Sequence, residues 1–258
     1  MTSRWRKAIA CAILLVVTLS VGCATMGLVE TIESLLKQIK ELLTAQKWDA
    51  ALTKVAEVIR REPTEWRAYL FGAQAYIGKA DWGQALTQAR KAVELAPRES
   101  ETLTTLAQSL FGAGTDALQR RAFGEAVSHF VEYIKLQPTN AQGYLNAGRA
   151  YVGLGNWTDA GRVLVDGVSR ASDSATRGQL VQGLLDGGRQ ALSRGEYQGA
   201  AGLLREYVRQ EPGDVSALLD LGKAYWSSND RTEALAAFRR VLELAPQNEE
   251  ARRFLLGR

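Results

Sequence analysis

The side chains able to do chemistry are few in this 258-residue chain, and they are scattered. His129 is the single histidine, and it falls in a segment whose apolar spacing predicts a helix. There, packing or a surface role fits better than general-base work. Two cysteines, Cys11 and Cys23, and one histidine make no cluster with metal-site spacing. Gly112-Ala-Gly114 and Gly153-Leu-Gly155 resemble phosphate-cradling loops only superficially. They lack the preceding strand and following lysine such loops need, and they fall at the ends of predicted helices, where glycine stops a helix anyway. The chain is therefore expected to be no enzyme and to use no cofactor, metal or small-molecule substrate.

One residue retains a chemical role through its position. Arg4, Arg6 and Lys7 precede an apolar stretch from Ala8 to Leu19, followed by Ser20-Val-Gly-Cys23. A basic start, a short apolar core and a small-residue site predict a secretory signal over 1–22, too short for a membrane span of about 20 apolar residues. The cysteine directly after Gly22 resembles a bacterial lipobox, although Ser20 stands where that motif usually carries leucine. The resemblance implies cleavage before Cys23, a diacylglyceryl group on its sulfur and acylation of the new amino end. Two or more acyl chains hold a protein stably on a membrane. The expected location is the bacterial cell envelope, lipid-anchored and periplasm-facing, at the outer membrane. Residues 23–30 form a short linker; at about 3.5 Å per extended residue, Ala24 to Glu30 reach about 25–30 Å, so the rest of the chain works near the membrane.

Charge and core follow from that processing. The net charge is +4, but three of the basic side chains belong to the signal, and what remains is nearly neutral. That argues against a nucleic-acid partner. Cys11 leaves with the signal, so no intrachain disulfide is possible and the core alone must hold the fold. At 46% hydrophobic residues, a continuous core is attainable.

The elements that fill the remainder recur. The best-kept unit has Leu218, Leu221-Gly222 and Tyr225, then Ala234, Phe238, Val241, Leu244 and Pro246. Others carry Ala73, Tyr76, Trp82, Ala85 and Pro97, or Tyr144, Ala147-Gly148, Tyr151, Trp157 and Ala160. A period of about 34 residues that moves from one helical face to another predicts stacked helical hairpins, each burying its apolar faces on its neighbours. Gly or Ala at the eighth position (Ala73, Ala107, Gly148, Gly188, Gly222) lets the first helix, A, lie against the second, B. Ala51, Ala85, Ala126, Ala160, Ala200 and Ala234 supply the matching flat spot. Proline ends helix B, while Thr64, Asn140, Asp214 and Asn248 are placed to cap the next helix. Extra residues between Leu110 and Phe123, and from Ser172 to Leu180, form either longer helices, with Asp173 as a cap in the second, or insertion loops.

These residues resemble the tetratricopeptide repeat (TPR). The resemblance covers 31–248 in six units (about 32–65, 66–99, 100–140, 141–174, 175–214 and 215–248), with 249–258 as a C-terminal capping helix built around Glu249 to Leu256. It implies an all-α fold: a right-handed superhelical solenoid of about six TPR helical hairpins. It also implies that helix A lines a concave groove with its fifth, ninth and twelfth positions, which share one face. The fifth row is Leu36, Leu70, Thr104, Leu145, Leu185 and Leu219. The ninth is Lys40, Gln74, Gln108, Arg149, Arg189 and Lys223, and the twelfth is Leu43, Ile77, Phe111, Val152, Leu192 and Trp226. Two apolar rows would then flank a basic and amide row, an exposed stripe of the kind that marks an interaction site; partial burial of the leucines by neighbouring units is the alternative. On the groove reading, serine at Leu145, Leu185 and Leu219 removes partner capture and leaves the fold. The lysine–asparagine carboxylate clamp of chaperone-binding TPR domains is absent from these rows. A lipoprotein signal followed by about six such units resembles the pilotin lipoproteins of type IV pilus systems. That resemblance implies a protein partner, a secretin, whose outer-membrane assembly it assists. A component of the barrel assembly machinery, and an adaptor for periplasmic wall hydrolases or polysaccharide export, are the alternatives.

Overall fold

The computed structural model describes residues 30–256. The expected signal 1–22, Cys23, the rest of the linker to residue 29 and the last two residues of 249–258 lie outside the described residues. The described residues form thirteen α-helices and no strand. Six hairpins follow one another: α1 (Ile32–Thr44) with α2 (Trp48–Arg61), α3 (Trp66–Gly78) with α4 (Trp82–Leu95), and α5 (Ser100–Gln119) with α6 (Phe123–Leu136). Then come α7 (Ala141–Leu154) with α8 (Trp157–Arg170), α9 (Ser174–Ser193) with α10 (Tyr197–Gln210), and α11 (Val215–Ser227) with α12 (Arg231–Leu244). The last helix, α13 (Glu249–Leu256), follows α12.

Local chemistry sets these boundaries. Asn140, Asp173, Asp214 and Asn248 each accept a backbone N–H of the following first turn, at 3.1, 2.7, 3.0 and 2.9 Å, which satisfies donors the helix leaves open. Thr64 does not cap α3. That helix starts at Trp66, and Glu65 caps it instead, accepting from the Arg67 backbone while also binding the Arg67 guanidinium. Each A-to-B turn passes through one left-handed residue: Gln46, Ala80, Arg121, Gly155, Gly195 and Asn229. Only Gly155 and Gly195 adopt that conformation without the Cβ penalty. The turns that follow Pro63 and Pro138 are tied down by Tyr69 and Tyr144, whose hydroxyls donate to the proline carbonyls at 2.9 and 3.0 Å.

Both extra segments are helix. α5 and α9 each span 20 residues, about two turns longer than the other A helices. Gly112 and Gly114 therefore lie inside α5 rather than at a helix end, and their missing side chains serve close packing. A Cβ on Gly114 would stand 2.8 Å from the Phe130 ring, just as one on Gly222 would stand 2.6 Å from Phe238. Gly114, not Ala107, is thus the flat spot that meets helix B of the third hairpin. Ala107 belongs to a cluster that joins Ala73 and Ala89 of the preceding hairpin to Tyr133. Gly114 is the fifteenth residue of its helix, and so is Gly188 in α9, whereas Ala73, Gly148 and Gly222 are each the eighth. The seven added residues precede the A–B contact in both long helices.

Curvature follows from which helices touch. At all five junctions an A helix reaches the A helix of the next hairpin, whereas among B helices only α8 and α10 make a comparable contact. The A layer is the shorter, inner side of an all-α superhelix. At the far end, Phe254 of α13 stacks on Phe238 (4.4 Å between centroids, 8° between planes) and meets Trp226 edge-on at 5.2 Å. With Ala251 fully buried, α13 covers the apolar end of the sixth hairpin, as solenoids require.

Candidate functional site: the inner face of the A helices

The three rows expected to line the groove differ sharply in exposure. In the fifth row, Leu36, Leu70, Leu145 and Leu185 are buried, Leu145 to 1% exposure; Leu219 is half-buried and Thr104 exposed. Neighbouring hairpins cover four of these leucines, so they are core rather than an exposed stripe. The reason is the A-to-A contact made at every junction. The ninth row is the accessible one. Lys40, Gln108, Arg149 and Arg189 are exposed, while Gln74 and Lys223 are half-buried. Leu43, Ile77, Phe111, Val152, Leu192 and Trp226 of the twelfth row are all half-buried. The inner face is therefore one polar row beside one partly open apolar row.

The register of the third hairpin needs adjusting. Counted from Gly114, its fifth, ninth and twelfth residues are Phe111, Thr115 and Leu118, not Thr104, Gln108 and Phe111. Seven residues are nearly two full turns, so both sets share a face, and Thr104, Gln108 and Phe111 do line the inner side.

Two hollows open along this face, and a long helix forms one wall of each. The first, about 690 Å³, lies where α5 passes α3 and the α6–α7 turn, and is lined by Ile77, Trp82, Gln108, Phe111 and Tyr133 among others. Phe111 anchors it, packed edge-on against Phe130 at 5.8 Å and tilted against Tyr133 at 5.1 Å. The second, about 600 Å³, lies between α7 and α9, over Leu145, Val152 and Leu164. Gln179, Gln182 and Asp186 on its α9 side were missed by the unit-by-unit reading. Their signal was available: Gly178 and Gln182 stand seven residues before Leu185 and Arg189, so the added turns repeat the groove pattern.

Charge on the ninth row is unevenly matched. Arg189 donates to Asp220 at 2.8 Å and to Ser216 at 2.9 Å, and the bond to the Asp220 carboxylate raises its pKa further. Lys223 pairs with Glu250 of α13 at 2.8 Å. Lys40 and Arg149 form no ion pair among the described residues. His129 sits on α6, and burial pushes its pKa down. It lines an outer hollow with Asp116, Arg120 and Glu125, away from the inner rows. No group of His, Cys, Asp or Glu among the described residues is arranged to hold a metal, and no described helix is long and apolar enough to cross a membrane.

Known proteins match this architecture. Models of the tetratricopeptide repeat match residues 36–100, 111–174 and 191–255, and the gaps between matches fall on the two long helices. Tetratricopeptide repeat protein 16 of Mus musculus is 28% identical over 101 residues, 39% of this chain but only 13% of the mouse protein. Among solved structures, the Naa15/Naa10 complex bound to HypK-THB aligns at 16% identity over 88% of this chain and 34% of that one, with a TM-score of 0.50. YrrB, a TPR protein with an unusual peptide-binding site, aligns at 19% identity over 76% of this chain and 95% of its own (TM-score 0.39). Pseudomonas aeruginosa pilF aligns at 15% identity over 88% and 97% (TM-score 0.38). The matched models cover most of the described residues, and the chain belongs to the tetratricopeptide repeat family.

Proposed function

We propose that this chain is a non-enzymatic scaffold that holds a protein partner along the inner face of its A helices. The observation that carries the reading is the pairing of an exposed polar row with a half-buried apolar row, running past two hollows. Such a surface offers apolar contact at the floor and hydrogen-bonding groups at the side, which is what an extended or helical segment needs. The same proposal places the scaffold in a bacterial envelope, held by acyl chains on Cys23 and facing the periplasm at the outer membrane. It takes a secretin of a type IV pilus system as the partner, on the sequence resemblance to pilotin lipoproteins.

Crosslinking in living cells, followed by pull-down and mass spectrometry, tests both parts, with Cys23→Ser as the control. The reading expects a secretin recovered with the acylated form and not with Cys23→Ser, and no labelling of that variant by a fatty-acid analogue. Recovery of barrel-assembly components, wall hydrolases or polysaccharide-export proteins in its place would replace the secretin and keep the scaffold. Fatty-acid labelling that persists in Cys23→Ser would remove the anchor.

A further inference from the structure

Of the five glycines around the hollow between α7 and α9, packing explains all but one. Gly148, Gly153, Gly178, Gly183 and Gly187 all border it. A Cβ on Gly148 would stand 2.5 Å from Leu164, one on Gly153 would stand 2.5 Å from Phe123, and one on Gly187 would touch Val152 at 3.0 Å. Gly183 faces Leu164 at 3.2 Å. Those four glycines are needed for helices to meet. Gly178 is different: among the described residues, nothing beyond its own turn of helix lies within 4 Å of where its Cβ would be. A glycine there weakens its helix relative to alanine, and it lines the hollow with no side chain of its own.

The lining of that hollow selects a ligand. Its volume of about 600 Å³ is within the usual range for ligand sites. The open part of the lining is apolar at half-buried Phe123 and Val152, above the buried Leu145 and Leu164. Gln179, Gln182 and Gln190 stand on the α9 side, and side-chain amides can both donate and accept. That suits a backbone whose N–H and C=O groups are unpaired, as in an extended strand, and not a helix that pairs its own. Asp186 already accepts from Gln182 Nε2 at 2.8 Å. Arg149 is exposed, lines the hollow and has, among the described residues, no carboxylate partner of the kind its row neighbours Arg189 and Lys223 possess.

We infer that this hollow seats an extended segment of a partner protein, with a large apolar side chain against Phe123 and Val152 and a carboxylate one or two residues away on Arg149. The inference rests on the reading that the A-helix face is the binding face, and it names the chemistry of what binds there. Random peptides displayed on phage and selected on the immobilised full-length protein test it. A Cβ at position 178 meets nothing within 4 Å among the described residues beyond its own turn of helix, so Gly178→Leu, which adds bulk at the lining of the hollow, should melt at or above the native temperature. Enriched peptides should pair Leu, Phe or Trp with Asp or Glu within two positions. They should bind Gly178→Leu and Arg149→Glu about tenfold or more weakly, and Lys40→Glu as well as the native protein. Peptides that lack this pairing, that are amphipathic helices, or that bind Gly178→Leu undiminished overturn the inference. If such peptides are weakened instead by Lys40→Glu or Gln108→Glu, the A-face reading survives; if no inner-face substitution weakens any enriched peptide, that reading falls too.

Discussion

The ring of Phe130 lies so close to Gly114 that a single added carbon would come within 2.8 Å of it. This contact fixes where helix B of the third hairpin crosses helix A, and it sits seven residues beyond the crossing in regular hairpins. Phe130 is fully buried and has no free side to turn toward. Gly114→Ala should therefore lower stability by about 1–2 kcal/mol, overpacking outweighing the helix-propensity gain. Chemical denaturation of the variant, with Ala107→Gly beside it for comparison, checks this.

The fifth-row leucines separate core from surface. Leu145→Ser and Leu185→Ser should each cost about 2–5 kcal/mol, the range for emptying a buried leucine site. Arg149→Glu, one turn from Leu145 on the same helix, should leave the melting temperature nearly unchanged. Thermal unfolding followed by circular dichroism distinguishes the two cases.

Much of this fold was legible in the residues because the repeat is redundant. Ala73, Gly148, Gly188 and Gly222 mark A–B contacts, Asn140, Asp214 and Asn248 mark helix starts, and each error in one unit is outvoted by the others. The third hairpin was misregistered because counting from the helix start lands on Ala107, a small residue that is also buried, in a cluster shared with the preceding hairpin. The groove rows were legible as a face but not as a surface. Whether Leu36 and Leu70 are open depends on how closely consecutive A helices approach, and that distance is set by many contacts between units, not by the spacing within one. Thr64 lost the cap to Glu65 because the Arg67 guanidinium adds a second interaction to the carboxylate, which a propensity ranking of cap residues does not include.

Tyr207 and Asp214 join the fifth hairpin to the sixth. The tyrosine hydroxyl donates to Asp214 Oδ2 at 2.9 Å while Asp214 Oδ1 caps α11. The backbone N–H of Ala217 chiefly holds the Asp214 carboxyl below its ordinary pKa, and burial followed by the neighbouring carboxylate pushes Tyr207 up to about 12. The aspartate's contribution is present above its unfolded pKa, near 4, and is lost as pH falls through the lower folded value. Tyrosine contributes in the opposite sense: its share is full below about 10 and lost as pH rises through about 12. Asp214→Asn keeps a capping group but does not titrate, so its stability relative to native should rise as pH falls below about 4. Melting curves across that range decide the point.

At the C-terminal end, Phe254→Ala should remove the stack on Phe238 at a cost of about 2 kcal/mol, less than a fully enclosed ring. Because each hairpin contacts mainly its neighbours, the loss should stay local. Hydrogen exchange should quicken in α11 to α13 and remain unchanged in α1 to α4.

Ala80 occupies the left-handed turn position that Gly155 fills in the fourth hairpin. Ala80→Gly should stabilise the protein by about 0.5–1 kcal/mol, and Gly155→Ala should destabilise it by a similar amount, the left-handed penalty exceeding the entropy cost of glycine. Denaturant midpoints of the two variants, expected to move in opposite directions, provide the measurement.

The central claim is that the inner face of the A helices holds a protein partner, and site-specific photocrosslinking in cells tests it most directly. A photoreactive side chain placed in turn at Lys40, Gln108 and Arg149 on the inner face, and at Arg205 and Arg240 on the B helices, would report which surface is occupied. One shared partner should be captured from Gln108 and Arg149 and not from Arg205 or Arg240. Capture confined to Arg205 and Arg240 would contradict it.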